Sequence, residues 1–179
     1  MKPKTTSGNI EELVSSGLEK YRKAVVSQLN GKKKPAFIVE MENTKSSCRT
    51  ENQRNYVDDC ITLVGLPLFF KEKPEKLVSF TEENNAIQIY VKDKILAMNE
   101  EAFGFKVDGC TIFECDNFFQ AFCGCIASIY AFNLAYPKEL TKYFTFVQNI
   151  LIGLKDGEGK INLDKRILNV VAALNIQIK

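Results

Sequence analysis

Apolar side chains recur every three or four residues along the first part of the chain, as they do on one face of an α-helix. The recurring positions are Ile10, Leu13, Val14, Leu18, Tyr21, Val25 and Leu29. Asn9 can cap this helix with its side-chain oxygen, and Glu11 and Glu12 lie in the first turn, where the helix dipole favours negative charge. Gly31 favours termination after Asn30. The pattern therefore predicts a helix that begins after Asn9 and stops at Gly31.

A second helical pattern covers residues 51–70, "ENQRNYVDDCITLVGLPLFF". Its predicted apolar face contains Tyr56, Cys60, Leu63, Val64 and Leu66. Pro67 is expected to kink or end this helix, because proline has no backbone N–H to donate. Between the two helices, residues 36–40 ("AFIVE") predict a short strand or extended segment, and residues 43–50 read as a polar loop.

Three short runs rich in β-forming residues follow: "KLVSF", "AIQIYV" and "KILA". The strongest local signal is Asp108-Gly109, which separates "FGFKV" from "CTIF". A two-residue hairpin turn requires positive φ at both central positions, and Asp-Gly suits that requirement. We therefore predict a hairpin at this point.

A long uncharged helix is predicted next, capped by Asp116 or Asn117 and broken at Tyr136-Pro137. Residues 138–154 and 162–175 predict two further helices, joined by a loop at "KDGEGK".

This order of elements predicts an α+β fold, with a small antiparallel sheet of hairpins, about five helices and a mainly helical C-terminal half. A chain of 179 residues fits one globular domain, here residues 9–179, preceded by a flexible arm at residues 1–8. Within that domain, residues 9–55 supply the first helix and a connector, and residues 56–179 supply the core.

The stretch from Asn117 to Pro137 contains no charged residue and is long enough to cross a bilayer, which takes roughly 20 residues. It is interrupted by Gln120, Gly124, Ser128 and Asn133. A helix that is apolar on every side is also typical of the centre of a protein core. We favour a core helix with apolar side chains on almost every side. We therefore expect no membrane partner.

Four of the six cysteines lie between residues 110 and 125. Cys123 and Cys125 are two apart on a predicted helix, so they point roughly 200° apart and cannot easily hold one ion. Cys110 and Cys115 do not have zinc-ligand spacing. The chain has no histidine to act as a base or ligand. We therefore expect no metal and no cofactor, and interpret Cys123 and Cys125 as small apolar residues of the core.

Two alternatives involve charged residues. Glu40, Glu42 and Lys45 follow the predicted strand and resemble an incomplete metal-dependent nuclease site. The first 35 residues also carry eight Lys/Arg against three Glu, although the net charge of the chain is only +2. The nucleic-acid-binding candidates are Lys2, Lys4, Arg22, Lys23, Lys32, Lys33 and Lys34.

Several apolar motifs carry a resemblance from about residue 56 onward. They include "LVGLPLFFKEKPEKLV", the hairpin ending "VDG", and "FFQAFCGCIASIYAFNLAYPKELTKYFTFVQNILIGL". The chain resembles a group of uncharacterised, often transposon-associated animal proteins, some of which carry a sterile-alpha-motif or zinc-finger domain at the N-terminus. The resemblance implies a shared fold, usually C-terminal, and no activity or site residue comes with it.

The sequence thus favours a non-enzymatic protein-interaction or self-assembly domain, and the resemblance implies a transposon-derived origin. Its partner would be another protein or a second copy, with nucleic acid as the alternative. Self-association would need an exposed apolar patch, expected on the first or the last helix. The absence of an apolar leader predicts an intracellular protein, cytoplasmic or nuclear, with reduced thiols.

Phe122 tests the core interpretation of the uncharged helix. We expect Phe122→Ala to lower the free energy of unfolding by about 3–5 kcal/mol, because it removes a large buried ring. Chemical denaturation measures this loss. A loss below about 1 kcal/mol would mean that the helix does not belong to the core.

Overall fold

The computed structural model describes residues 9–80, 87–91, 103–154 and 163–177. The predicted arm at residues 1–8, the run "KILA" and the loop "KDGEGK" lie outside the described residues. The described elements combine α-helices with a four-stranded sheet, so the α+β prediction is confirmed.

Helix α1 spans Ile10–Leu29, and the Asn9 side chain accepts the backbone N–H of Glu11, as predicted. Helix α3 spans Glu51–Gly65 and begins with a capping box between Thr50 and Gln53. Its α-helical hydrogen bonding stops where Pro67 enters a 3₁₀ turn at Leu66–Phe70, which confirms the predicted effect of that proline.

The strand predicted at residues 36–40 is wrong, because Ala36–Thr44 forms helix α2. Ile38 and Met41 are three residues apart and both are buried, which is a helical spacing. Packing of this short segment against α3 therefore outweighs the β preference of its apolar residues.

The sheet contains β1 (Val78–Ser79), β2 (Ile87–Val91), β3 (Phe103–Val107) and β4 (Cys110–Cys115), in that order across the sheet. The strands β2, β3 and β4 are antiparallel, but β1 is parallel to β2. The sheet is therefore mixed, and the prediction of a purely antiparallel sheet is corrected.

The predicted hairpin joins β3 and β4, with Asp108 at φ 49° and Gly109 at φ 79°. These positive values are the ones a two-residue turn requires. Helix α4 (Phe118–Ala131) follows, capped by Asn117, and packs on one face of the sheet. The helix is less completely buried at its C-terminal end than predicted, because Tyr130 is 38% exposed and Phe132 is 61% exposed.

Helix α5 (Thr141–Phe146) follows a 3₁₀ turn and continues directly into a π-helical turn, Val147–Leu151. Helix α6 spans Lys165–Ala173 and is capped by the side chain of Asp164. The described residues thus contain six α-helices rather than about five, because α2 replaces the predicted strand. No helix among them is long and apolar enough to cross a membrane.

Helix α1 packs its buried face, which includes Val14, Leu18 and Val25, against α3, α4 and the π-helical turn. The closest approach is at Gly17, where an added Cβ would lie 2.0 Å from the carbonyl oxygen of Leu151. Only a residue without a side chain can stand there, so Gly17 sets the distance between the first helix and the C-terminal helices.

Gly17→Ala is expected to destabilise the fold, although alanine is ordinarily the better residue in a helix by about 1 kcal/mol. The obstructing atoms belong to the backbone of Leu151 and cannot rotate away, so α1 and the π-helical turn must separate. We expect a loss of about 1–3 kcal/mol in urea denaturation. The matched control is Ser16→Ala, an exposed position on the same helix, which should change stability by less than about 0.5 kcal/mol. Equal stability of the two variants would contradict the close approach.

Candidate functional site

A groove of about 670 Å³ opens between the turn after α1, the start of α2, residues 68–76 and strand β1. Its apolar lining consists of Pro35, Phe37, Leu68, Pro74, Val78 and Phe80. Its charged lining consists of Lys33, Lys34, Glu72, Lys73, Glu75 and Lys76. The groove therefore combines an apolar floor with a rim that has twice as many lysines as carboxylates.

Two prolines shape the walls of the groove. Pro35 stands at the N-cap of α2, and Pro74 occupies the first turn of a short 3₁₀ helix, positions that suit the fixed φ of proline. Beyond Pro74, the carbonyl of Leu77 accepts the N–H of Ile89 at 3.0 Å, which fixes β1 against the sheet. Two lysine-rich segments that are distant in sequence thereby reach the same surface.

An aromatic pair forms the floor of the groove. The ring centroids of Phe37 and Phe80 lie 5.4 Å apart with an interplanar angle of 55°. Phe80 remains 37% exposed, so this pair presents apolar surface to solvent. Exposed aromatic surface in a concave site is a feature of binding pockets.

The lysines around the groove differ in whether they already contact a carboxylate or an aromatic ring. The Nζ atom of Lys34 lies 2.6 Å and 2.7 Å from the two carboxylate oxygens of Glu42. The Nζ atom of Lys32, beside the groove, lies 4.4 Å from the centroid of the Phe69 ring. Within the described residues, Lys33, Lys73 and Lys76 form no ion pair with a carboxylate. These three lysines carry the charge that a ligand would meet.

Glu72 belongs to the scaffold of the groove. Its carboxylate accepts the backbone N–H groups of Lys142 at 3.0 Å and Tyr143 at 2.9 Å, which satisfies the first turn of α5. Burial raises the pKa of Glu72, and these two hydrogen bonds counteract the rise. One wall of the groove is thus attached to the C-terminal half of the core.

The structure divides the predicted basic patch. Lys33 and Lys34 line the groove, whereas Arg22 lies in a separate cleft and pairs with Asp59 at 3.2 Å. Lys23 is exposed on α1 and lines neither site. Lys2 and Lys4 lie outside the described residues.

The structure does not assemble the incomplete nuclease site. Glu40 and Glu42 lie on a helix rather than at a strand end, and they are two positions apart, so they face different directions. Glu42 pairs with Lys34, and Lys45 pairs with Asp58 at 2.7 Å. Across the described ranges, no three His, Cys, Asp or Glu side chains come together in a way that could hold a metal ion.

The helical cysteines lie in the core, as predicted. Cys123 is 4% exposed and Cys125 is fully buried. Burial raises the pKa of the Cys123 thiol to about 12 and also raises that of Cys125. Both remain protonated at neutral pH, and a protonated thiol is neither a good nucleophile nor a metal ligand. Cys110 is exposed and Cys115 is half-buried at the ends of β4.

A second, polar cleft of about 620 Å³ lies between α1, α3 and the N-terminus of α4. The Tyr56 hydroxyl accepts the N–H of Phe118 at 3.2 Å, which ties α3 to the start of α4. Burial raises the pKa of Asp59 from 3.8 to about 6, against the opposing effect of Arg22. The Asp59 carboxyl therefore loses its proton at a higher pH than an ordinary aspartate does.

Sequence reasoning missed half of the groove. Lys73 and Lys76 belong to "KEKPEK", a segment left out of the predicted basic patch, and Phe37 and Phe80 lie in segments interpreted as strands. The available signal was a second lysine-rich segment, 71–76, that contains proline and adjoins an apolar run.

No family model, curated protein or solved structure matches the chain.

Asp59 gives the polar cleft a defined pH dependence. Because its pKa is higher in the folded state, Asp59 contributes stability that is greatest below about pH 4 and is lost as the pH rises through about 6. The free energy of unfolding of the wild type, relative to Asp59→Asn, should therefore fall between pH 4 and pH 7. Urea denaturation of both proteins across this range measures the difference. A difference that is flat, or that rises with pH, would contradict the raised pKa.

Proposed function

We propose that this protein is a non-enzymatic interaction module that binds an acidic, partly apolar segment of a protein partner in the lysine-rimmed groove. The observation that carries the proposal is the contact of exposed Phe80 with the Phe37 ring, beside three lysines that have no carboxylate partner in the described residues. An apolar anchor supplies binding energy, and opposite charge on the rim supplies specificity and faster association.

The groove is large enough to receive part of a partner segment. Its volume of about 670 Å³ lies within the range of small-molecule sites, roughly 300–1,000 Å³. The attachment of Glu72 to the start of α5 holds one wall in place before a ligand arrives, which lowers the entropy cost of binding.

Nucleic-acid binding is the second candidate, supported by the convergence of two lysine segments around an aromatic pair. Single-stranded nucleic acid binds to basic grooves in which bases stack on aromatic rings. Glu72 and Glu75 in the lining oppose this candidate, because a phosphate chain would be repelled by both. An acidic peptide can place its charges only against the lysines.

The test compares a charge-reversed groove with a matched control. Lys73→Glu/Lys76→Glu reverses two groove lysines, whereas Lys138→Glu/Lys165→Glu makes the same charge change at two exposed lysines outside the groove. The probe is a fluorescent peptide in which glutamate and leucine alternate. We expect the groove variant to lose at least about tenfold in affinity by fluorescence anisotropy, equivalent to about 1.4 kcal/mol, and the control to keep its affinity.

A fluorescent oligothymidine serves as the competing probe in the same assay. Equal peptide affinity for the wild type and the groove variant would place peptide binding elsewhere and contradict the proposal. Tight oligothymidine binding that falls steeply with salt, and falls further in the groove variant, would favour the second candidate instead. Far-ultraviolet circular dichroism of each variant verifies that it folds.

A further inference from the structure

An acidic surface lies near the N-terminal end of α1. It surrounds a cleft of about 460 Å³ whose lining is Asn9, Glu11, Glu12, Ser15, Ser16, Glu19 and Phe119. Three carboxylates and one half-buried aromatic ring thus line this cleft, and no basic side chain does. We name it the acidic face. The nearest arginine in the adjoining cleft, Arg22, is already paired with Asp59.

The acidic face and the groove are complementary in composition. The groove offers Lys33, Lys73 and Lys76 around an aromatic floor, and the acidic face offers three glutamates around Phe119. Each surface thus combines charged side chains with an aromatic ring, and the two surfaces carry charge of opposite sign. Opposite charge on two surfaces steers their association and favours their contact over like-charged alternatives.

The two surfaces lie at opposite ends of the same helix. Glu11 and Glu12 are in the first turn of α1, whereas Lys33 follows its last residue, Leu29, by four positions. A helix of 20 residues is about 30 Å long. A contact between the acidic face and the groove therefore cannot form within one molecule and has to join two molecules.

From these observations, and resting on the binding function proposed above, we infer that the occupant of the groove is the acidic face of a second copy of this chain. Because the two contacting surfaces differ, the contact is heterologous, and repetition produces a ring or an open chain rather than a two-fold dimer. The acidic face also disfavours nucleic acid as the occupant of a neighbouring groove, since it competes with phosphate for the same lysines.

A charge-swap experiment tests this inference. The groove variant is Lys73→Glu/Lys76→Glu, and the face variant is Glu12→Lys/Glu19→Lys, which changes exposed residues of α1. Size-exclusion chromatography with light scattering, recorded at two wavelengths, reports molar mass and bound nucleic acid together. We expect the molar mass of the wild type to rise with concentration and each variant alone to remain monomeric. Lys138→Glu/Lys165→Glu should assemble like the wild type.

Mixing the two variants is the decisive step. The unchanged acidic face of the groove variant matches the unchanged groove of the face variant, and the two reversed surfaces also match each other. An equimolar mixture should therefore regain the mass of the wild-type assembly. Recovery on mixing also excludes misfolding as the reason that the separate variants are monomeric.

The contrary outcomes separate this inference from the function proposed for the groove. A wild type that stays monomeric at every concentration, yet binds the acidic peptide, would overturn self-association and leave the groove function in place. Assembly that survives in both variants, or fails to return on mixing, would also overturn the inference. A high-mass species that contains nucleic acid and dissociates at high salt would overturn it in favour of nucleic-acid binding. If the mixed variants regain the mass of the wild-type assembly but the acidic peptide does not bind the wild type, only the acidic-peptide proposal would be contradicted.

Discussion

The contact between Gly17 and the backbone of Leu151 is the constraint on which the rest of the structure depends. It lets α1 lie against the π-helical turn at a distance that any side chain would prevent. The same helix also packs on α3 and α4, so its position is fixed from three directions. Because α1 is held in the core, its two ends project at fixed places. The acidic face and the turn that leads into the groove therefore keep a constant separation.

The groove is connected to this core through partly buried hydrogen bonds as well as through the chain itself. Glu72 accepts two backbone N–H groups at the start of α5, and the Arg166 guanidinium donates to the carbonyl of Phe70 at 3.2 Å. Both contacts join the segment that carries Lys73 and Lys76 to the C-terminal helices. A buried carboxylate is stable only when its oxygens are hydrogen-bonded, and the free N–H groups of a helix start meet that need. The segment that carries Lys73 and Lys76 is therefore held in position by the C-terminal helices.

The parts of the fold that were predictable from sequence are those that local chemistry determines. Asn9, Asn117 and the Asp108-Gly109 turn act within a few residues, and each was found where its pattern indicated. Helix α2 was not predictable in this way, because its nine residues give too little periodicity to outweigh their β preference. The parallel pairing of β1 was also hidden, since a two-residue strand has no pattern of its own and takes its direction from β2. These misses share one cause, which is that packing against a neighbouring element decides the conformation of a short segment.

The sequence by itself determined the helices with clear caps, the hairpin, the burial of Cys123 and Cys125 and the α+β class. The physical reason is that capping, turn geometry and helical periodicity are short-range effects. Only the tertiary structure decided the binding surface. It brought Lys33 and Lys73 to one groove across 40 positions of sequence, and it removed Arg22 from the basic patch by pairing it with Asp59. The sequence shows how many charged residues there are. The packing of apolar residues decides which of them pair with each other and which remain available to a partner.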